Sequence, residues 1–194
     1  MTAHFELQPA KSELSTLAEQ FRREAGERER RIEDDAFDAG AAIRNGDYTL
    51  GNLEAIVRWK SERAVHYLIG NSTESIRRAL EVAAAPEASP HEAIGALLAL
   101  HGVDLPVASA ILTAIFPEQY TVMDCHVLEA LGYPRQDVYF YEDFLAFCNH
   151  IVAAGAVPEQ ADVAATPLRS LDRALRQWSE NHTEAVAEVT AGIA

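Results

Sequence analysis

The residues best placed to do chemistry lie in one stretch, LHGVDLPVASAILTAIFPEQYTVMDCHVLEALG, running from Leu100 to Gly132. A tight turn, Gly102-Val103-Asp104, enters an apolar helix, and a Pro/Tyr loop then delivers a lone carboxylate, Asp124. Two helices joined by a short glycine turn present backbone N–H groups and the positive end of the second helix, which together hold a phosphate. Taken alone, Asp124 reads as a helix N-cap, accepting from the N–H groups of the turn that follows. Upstream, RWKSER brings Trp59, Lys60 and Arg63 close together and repeats at Tyr67 along one expected helix side. That cationic spot suits an anion or a stacked base, and Arg63 packed on Trp59 at i,i+4 is the purely structural alternative. A second basic stripe, Arg169, Arg173 and Arg176, is expected to be a salt-bridged helix surface with Asp172 as a partner.

Charge limits what these residues can bind. Between Arg78 and Arg135 there is no Lys or Arg, while Glu81, Glu87, Glu92, Asp104, Glu118, Asp124 and Glu129 fall inside the interval. The net charge of -14 opposes nonspecific nucleic-acid binding, which comes mainly from Lys and Arg displacing counterions. DNA or a nucleoside is therefore a partner only against the acidic balance, and a protein partner is the other expectation. The charges of RREAGERERRIEDD are mixed and suit a solvated helix face. With 194 residues and 48% apolar content the chain suits a single globular domain over 1–194. No uninterrupted apolar run suits a membrane span, and MTAHFELQPAKSEL has no signal-peptide character, so a cytoplasmic location is expected. Cys125 and Cys148 are too few for a disulfide framework and read as reduced thiols.

The elements that must position these groups are helices. Leu14, Leu17, Ala18, Phe21 and Ala25 recur at helical spacing, and Ile32, Ala36 and Ile43 extend the pattern to the turn RNGD at Arg44–Asp47. Thr49 is expected to cap a helix through about Gly70, and Ser72 another through about Ala85. Ser89 and Glu92 form a capping box with Pro90 at the first helical position, opening a helix to about Leu100. Pro106 to Phe116 is apolar all round and therefore buried. Asp124 caps a short helix to Leu131, stopped by Gly132 and Pro134, and Glu142 to Ala154 is amphipathic. Thr166 and Pro167 open a last helix with the stripe Leu168, Leu171, Leu175 and Trp178, and a weakly helical, fraying tail is expected over 183–194. The fold class is all-α.

The stretch from Ala93 to Gly132 resembles the helix-hairpin-helix, Gly/Pro loop and Asp signature of the base-excision DNA glycosylase superfamily. Gly102 and Val103 match its hairpin, Ala108 its small helix residue, and Asp124 stands sixteen positions beyond Ala108. With WKSER upstream and LRSLDRALRQWS near the C-terminus, the chain is similar to an uncharacterised bacterial branch without an iron–sulfur cluster, since two cysteines cannot supply four ligands. The resemblance implies a multi-helix glycosylase-like fold with hairpin and Asp loop within 90–132. It makes Asp124 the carboxylate that stabilises an oxocarbenium-like sugar and orients or deprotonates water. It asks for a pocket to take a flipped base, for which Trp59, Tyr67 and Tyr120 are candidate walls, although aromatic residues at helical spacing are also ordinary core.

Two departures shape the expectation. Pro106 stands where glycosylase-lyases carry their lysine, leaving simple hydrolysis of the N-glycosidic bond, with Lys60 and Arg63 as anion contacts. Asp104 replaces the second hairpin glycine and sets a negative charge where a phosphate would dock. No cofactor is expected, though the family implies a cation on the hairpin carbonyls; His101, Cys125 and His126 match no zinc spacing. The alternative is a catalytically inactive member of the fold that binds a protein or a small anion.

Overall fold

Local signals set several helix starts, although Thr49, expected to cap α3 (Leu50–Lys60), makes no side-chain cap bond. The computed structural model describes residues 4–133, 137–156 and 166–191, with side chains as far as Thr183. Its helices are α1 (Leu14–Glu24), α2 (Glu27–Arg44), α3 (Leu50–Lys60), α4 (Thr73–Ala83), α5 (Pro90–Leu98), α6 (Leu105–Ile115), α7 (Cys125–Ala130), α8 (Tyr141–Ala153) and α9 (Pro167–Ala191), with a long 3-10 segment at Glu62–Gly70. Among the described residues there is no strand, so the fold is all-α. Ser89 Oγ accepts from the Glu92 N–H at 3.3 Å while the Glu92 carboxylate accepts from the Ser89 N–H at 2.9 Å, the reciprocal box the spacing predicts. Ser72, Asp104 and Asp124 cap α4, α6 and α7 in the same sense.

The centre of the packing is α6. Leu105 and every residue from Val107 to Ile115 are buried, because a helix apolar on all sides has to be covered on all sides. It is covered by α2, α3 and α5. Gly40 lets α2 come close: a Cβ there would sit 2.1 Å from the Ala114 carbonyl oxygen. Around this centre α9 lies against α1, α7 and α8. None of the described helices is long and apolar enough to cross a membrane.

Three expectations need correction. The periodicity from Leu14 to Ile43 is split at Gly26, whose extended backbone (φ -70°, ψ 164°) ends one helix and starts the next, with the Glu29 carboxylate accepting its N–H at 2.6 Å. The helix expected to run from Thr49 to Gly70 stops at Lys60. Ser61 is extended (φ -157°, ψ 101°), and the chain turns so that Ala64 and Tyr67 pack on the hairpin glycine, Gly102. Lys60, Arg63 and Tyr67 consequently share no helix side. The stop signal Pro134 and most of the loop ahead of α9 lie outside the described residues; α9 itself is helical through Ala191, and 192–194 also lie outside them.

Candidate functional site

Asp124 is placed by the first turns of α6. Ser109 Oγ donates to the Pro106 carbonyl and accepts the Met123 N–H, both at 3.0 Å, which holds the incoming loop against α6 one residue before Asp124. The bend at Gly102 and the carboxylate thus belong to one end of α6. Asp124 Oδ1 then accepts the Val127 N–H at 3.0 Å, starting α7. Its Oδ2 is ion-paired with Nζ of Lys60, the last residue of α3. The side chains are 6% and 14% exposed, so the pair is largely shielded from water. Burial alone would raise the Asp124 pKa, but the Lys60 ammonium, the Val127 N–H and the His126 charge outweigh it and hold the carboxyl below the ordinary Asp value. Asp124 is an anion at neutral pH. On the far side, Ser179 Oγ of α9 stands 2.9 Å from His126 Nδ1 and donates to Glu129 at 2.5 Å, fastening α7 to α9.

The pair opens on a cleft of about 380 Å³ between α1, α2, α3 and α9. Phe21, Ile32, Trp59 and Val122 give it apolar wall. Deep in it lies Arg169, whose guanidinium carbon is 5.1 Å from the Trp59 ring and 5.9 Å from the Phe21 ring. Arg169 Nε donates to Glu33 at 2.8 Å, Nη1 donates to Asp172, and Arg173 Nη2 reaches the same Glu33 oxygen at 3.1 Å. Burial would raise the Glu33 carboxyl, and the two guanidiniums bring it below its ordinary value instead. The expected surface stripe is therefore corrected. Arg169 and Arg173 are buried at 4% exposure each, because Glu33 and Asp172 neutralise them; Arg176 alone keeps a half-exposed pair, with Glu180.

Of the residues singled out from the sequence, Asp124, Lys60 and Trp59 meet in this cleft. Arg63 does not: it is exposed on the 3-10 segment, and the cation over Trp59 is Arg169. Tyr67 is 59% exposed beside His101. Tyr120 is no wall of the cleft either, being buried with its ring 6.3 Å from Phe116. Burial also pushes the Tyr120 hydroxyl pKa upward. Arg169, Asp172 and Arg176 line the cleft too, from the stripe read as surface, while Phe21 and Glu33 are the cleft residues whose part spacing did not find, since they come from helices far from α9 in the chain.

The hairpin is a helix pair, α5 and α6, with Gly102 at φ 86°, and several of its polar groups are already engaged. The His101 N–H is taken by Asn71 Oδ1 at 2.8 Å, the Val103 N–H by the Leu100 carbonyl at 3.2 Å and the Val107 N–H by the Asp104 carboxylate at 3.0 Å. Asp104 occupies the helix terminus that a phosphate would use. The carbonyls of Leu97, Leu100 and His101 each already accept a protein N–H. Among the described residues no three His, Cys, Asp or Glu side chains are grouped to hold a metal.

Comparison with family models, curated proteins and solved structures finds no match for the chain. The molecule is defined by its own features: an all-α fold with a carboxylate–ammonium pair in an aromatic-walled cleft.

Proposed function

We propose that the protein is a monofunctional N-glycosidic hydrolase whose Asp124 cleft takes a base–sugar unit, presented as a free nucleoside or an unpaired nucleotide rather than as duplex docked on the hairpin. The observation that carries this reading is an ionised, shielded carboxylate at the edge of a partly aromatic-walled cleft large enough for a small ligand. A carboxylate in a water-poor site stabilises positive charge as it develops on the sugar, far more than it would in bulk water. Lys60 keeps that charge in place at rest. For the sugar to face Oδ2, the ammonium has to rotate off it, which brings a proton donor toward the departing base and assists its release. The engaged His101 and Val107 N–H groups and the charge of -14 support a small or single-stranded substrate over a duplex.

The test is base release, followed chromatographically, from a panel of nucleosides and of single strands and duplexes carrying uracil, hypoxanthine or alkylated bases. Release by the wild type that disappears in Asp124→Asn supports the proposal, and its absence on every substrate overturns it. One observation favours a second reading, ligand binding without turnover: both Asp124 oxygens already have partners. Saturable binding of a base or nucleoside with no release in long incubations would establish that reading.

A further inference from the structure

Arg169 is more than a structural cation. Its faces are covered by Trp59 and Phe21, its Nε is fixed by Glu33 and its Nη1 by Asp172. That leaves Nη2 without a hydrogen-bond acceptor among the described residues, and it is not one of the fully sealed polar atoms. Arg169 lines the cleft with 4% of its surface exposed, and Nη2 is its one guanidinium nitrogen with no acceptor among the described residues, which makes it the donor available to a ligand there. A guanidinium held at four points has little rotamer freedom left, so the N–H groups of Nη2 are aimed donors rather than a mobile charge.

What it donates to is narrowed by the surroundings. Six carboxylates and four cations line the cleft, so a phosphate or carboxylate ligand would enter an unfavourable field. A neutral acceptor meets no such opposition. The apolar walls require a flat, largely apolar body behind that acceptor. Granting the base as ligand, which rests on the hydrolase reading above, we infer that Arg169 is the specificity residue of the cleft: its Nη2 donates to a ring carbonyl of a neutral oxo-base, a class that includes the 6-oxopurines. A 6-aminopurine presents an N–H donor at that position and would leave the Arg169 donor facing another donor, a loss of the kind that discriminates strongly in buried sites.

Titration calorimetry on the full chain with hypoxanthine, adenine and unsubstituted purine tests this without any variant. Hypoxanthine is expected to bind at least about tenfold more tightly than the other two. Equal or tighter binding of adenine or purine overturns the inference, as does failure of all three to bind. Arg169→Lys keeps the charge but loses the planar fork, and is expected to bring the three affinities within about threefold. Its far-ultraviolet dichroism and melting profile report whether it is folded; if it is not, the wild-type series alone decides. Selective binding with no base release would sink the hydrolase reading and leave Arg169 as the determinant of a binding site, so the two failures are separable.

Discussion

Lys60 and Asp124 stand 64 residues apart in the chain and form a shielded ion pair at the mouth of α7, where the α3 C-terminus meets the loop from α6. Breaking a buried pair from one side costs more than the pair contributes, because the remaining charge has lost its solvent and its partner. Lys60→Met is therefore expected to destabilise the fold by about 3 kcal/mol in urea unfolding. The double variant Lys60→Met/Asp124→Asn should recover part of that loss, since no unpaired anion is left. A double variant as unstable as the sum of the singles would mean that the two side chains are not coupled.

The depressed pKa of Asp124 fixes a sign for its pH dependence. Its contribution is fully present above the ordinary Asp value of 3.8 and is lost as pH falls through the lower, folded-state value. Asp124→Asn lacks this contribution at every pH. The stability gap between wild type and Asp124→Asn should thus stay level from neutrality down to about pH 5 and close only in stronger acid. A gap already narrowing between pH 7 and about pH 5 would require a raised pKa and an unpaired carboxyl.

At the hairpin the expectation is negative. Asp104→Asn removes the charge but keeps the cap, because Asn and Asp are comparable N-caps, so stability should change by less than about 0.5 kcal/mol. With the His101 and Val103 N–H groups already engaged, neither wild type nor variant should bind duplex DNA at low ionic strength. Duplex binding that strengthens in Asp104→Asn and weakens steeply with salt would show that a phosphate does dock there.

These sites differ in how far they could be read from the chain. Ser89 with Glu92 and Asp124 before Val127 were legible because a cap is decided within four residues. The burial of α6 was legible because its composition leaves no polar side. The stop at Ser61 was not, since nothing local forbids a helix through Glu62–Gly70; packing of Ala64 and Tyr67 against Gly102 decides it. Arg169 and Arg173 on an amphipathic helix look like surface residues until Glu33, 136 and 140 residues earlier, is brought against them. Long-range neutralisation of this kind leaves no spacing signal.

That same network gives the last expectation. Glu33 accepts from Arg169 at 2.8 Å and from Arg173 at 3.1 Å on a single oxygen, with its side chain 12% exposed. Glu33→Gln keeps the shape and removes the charge, taking one carboxylate from each guanidinium and leaving Arg169 with Asp172. Arg169 then keeps only Asp172 as a charged acceptor in a site from which water is largely absent, so a loss of about 3 kcal/mol is expected in thermal or urea unfolding. The cleft should respond as well, because Arg169 Nε loses its charged acceptor and the guanidinium is no longer aimed. Calorimetry on the folded variant should show hypoxanthine binding weakened several-fold while binding of unsubstituted purine, which makes no use of Nη2, changes less. Equal weakening for both would mean that Glu33 supports the cleft as a whole rather than the direction of Arg169.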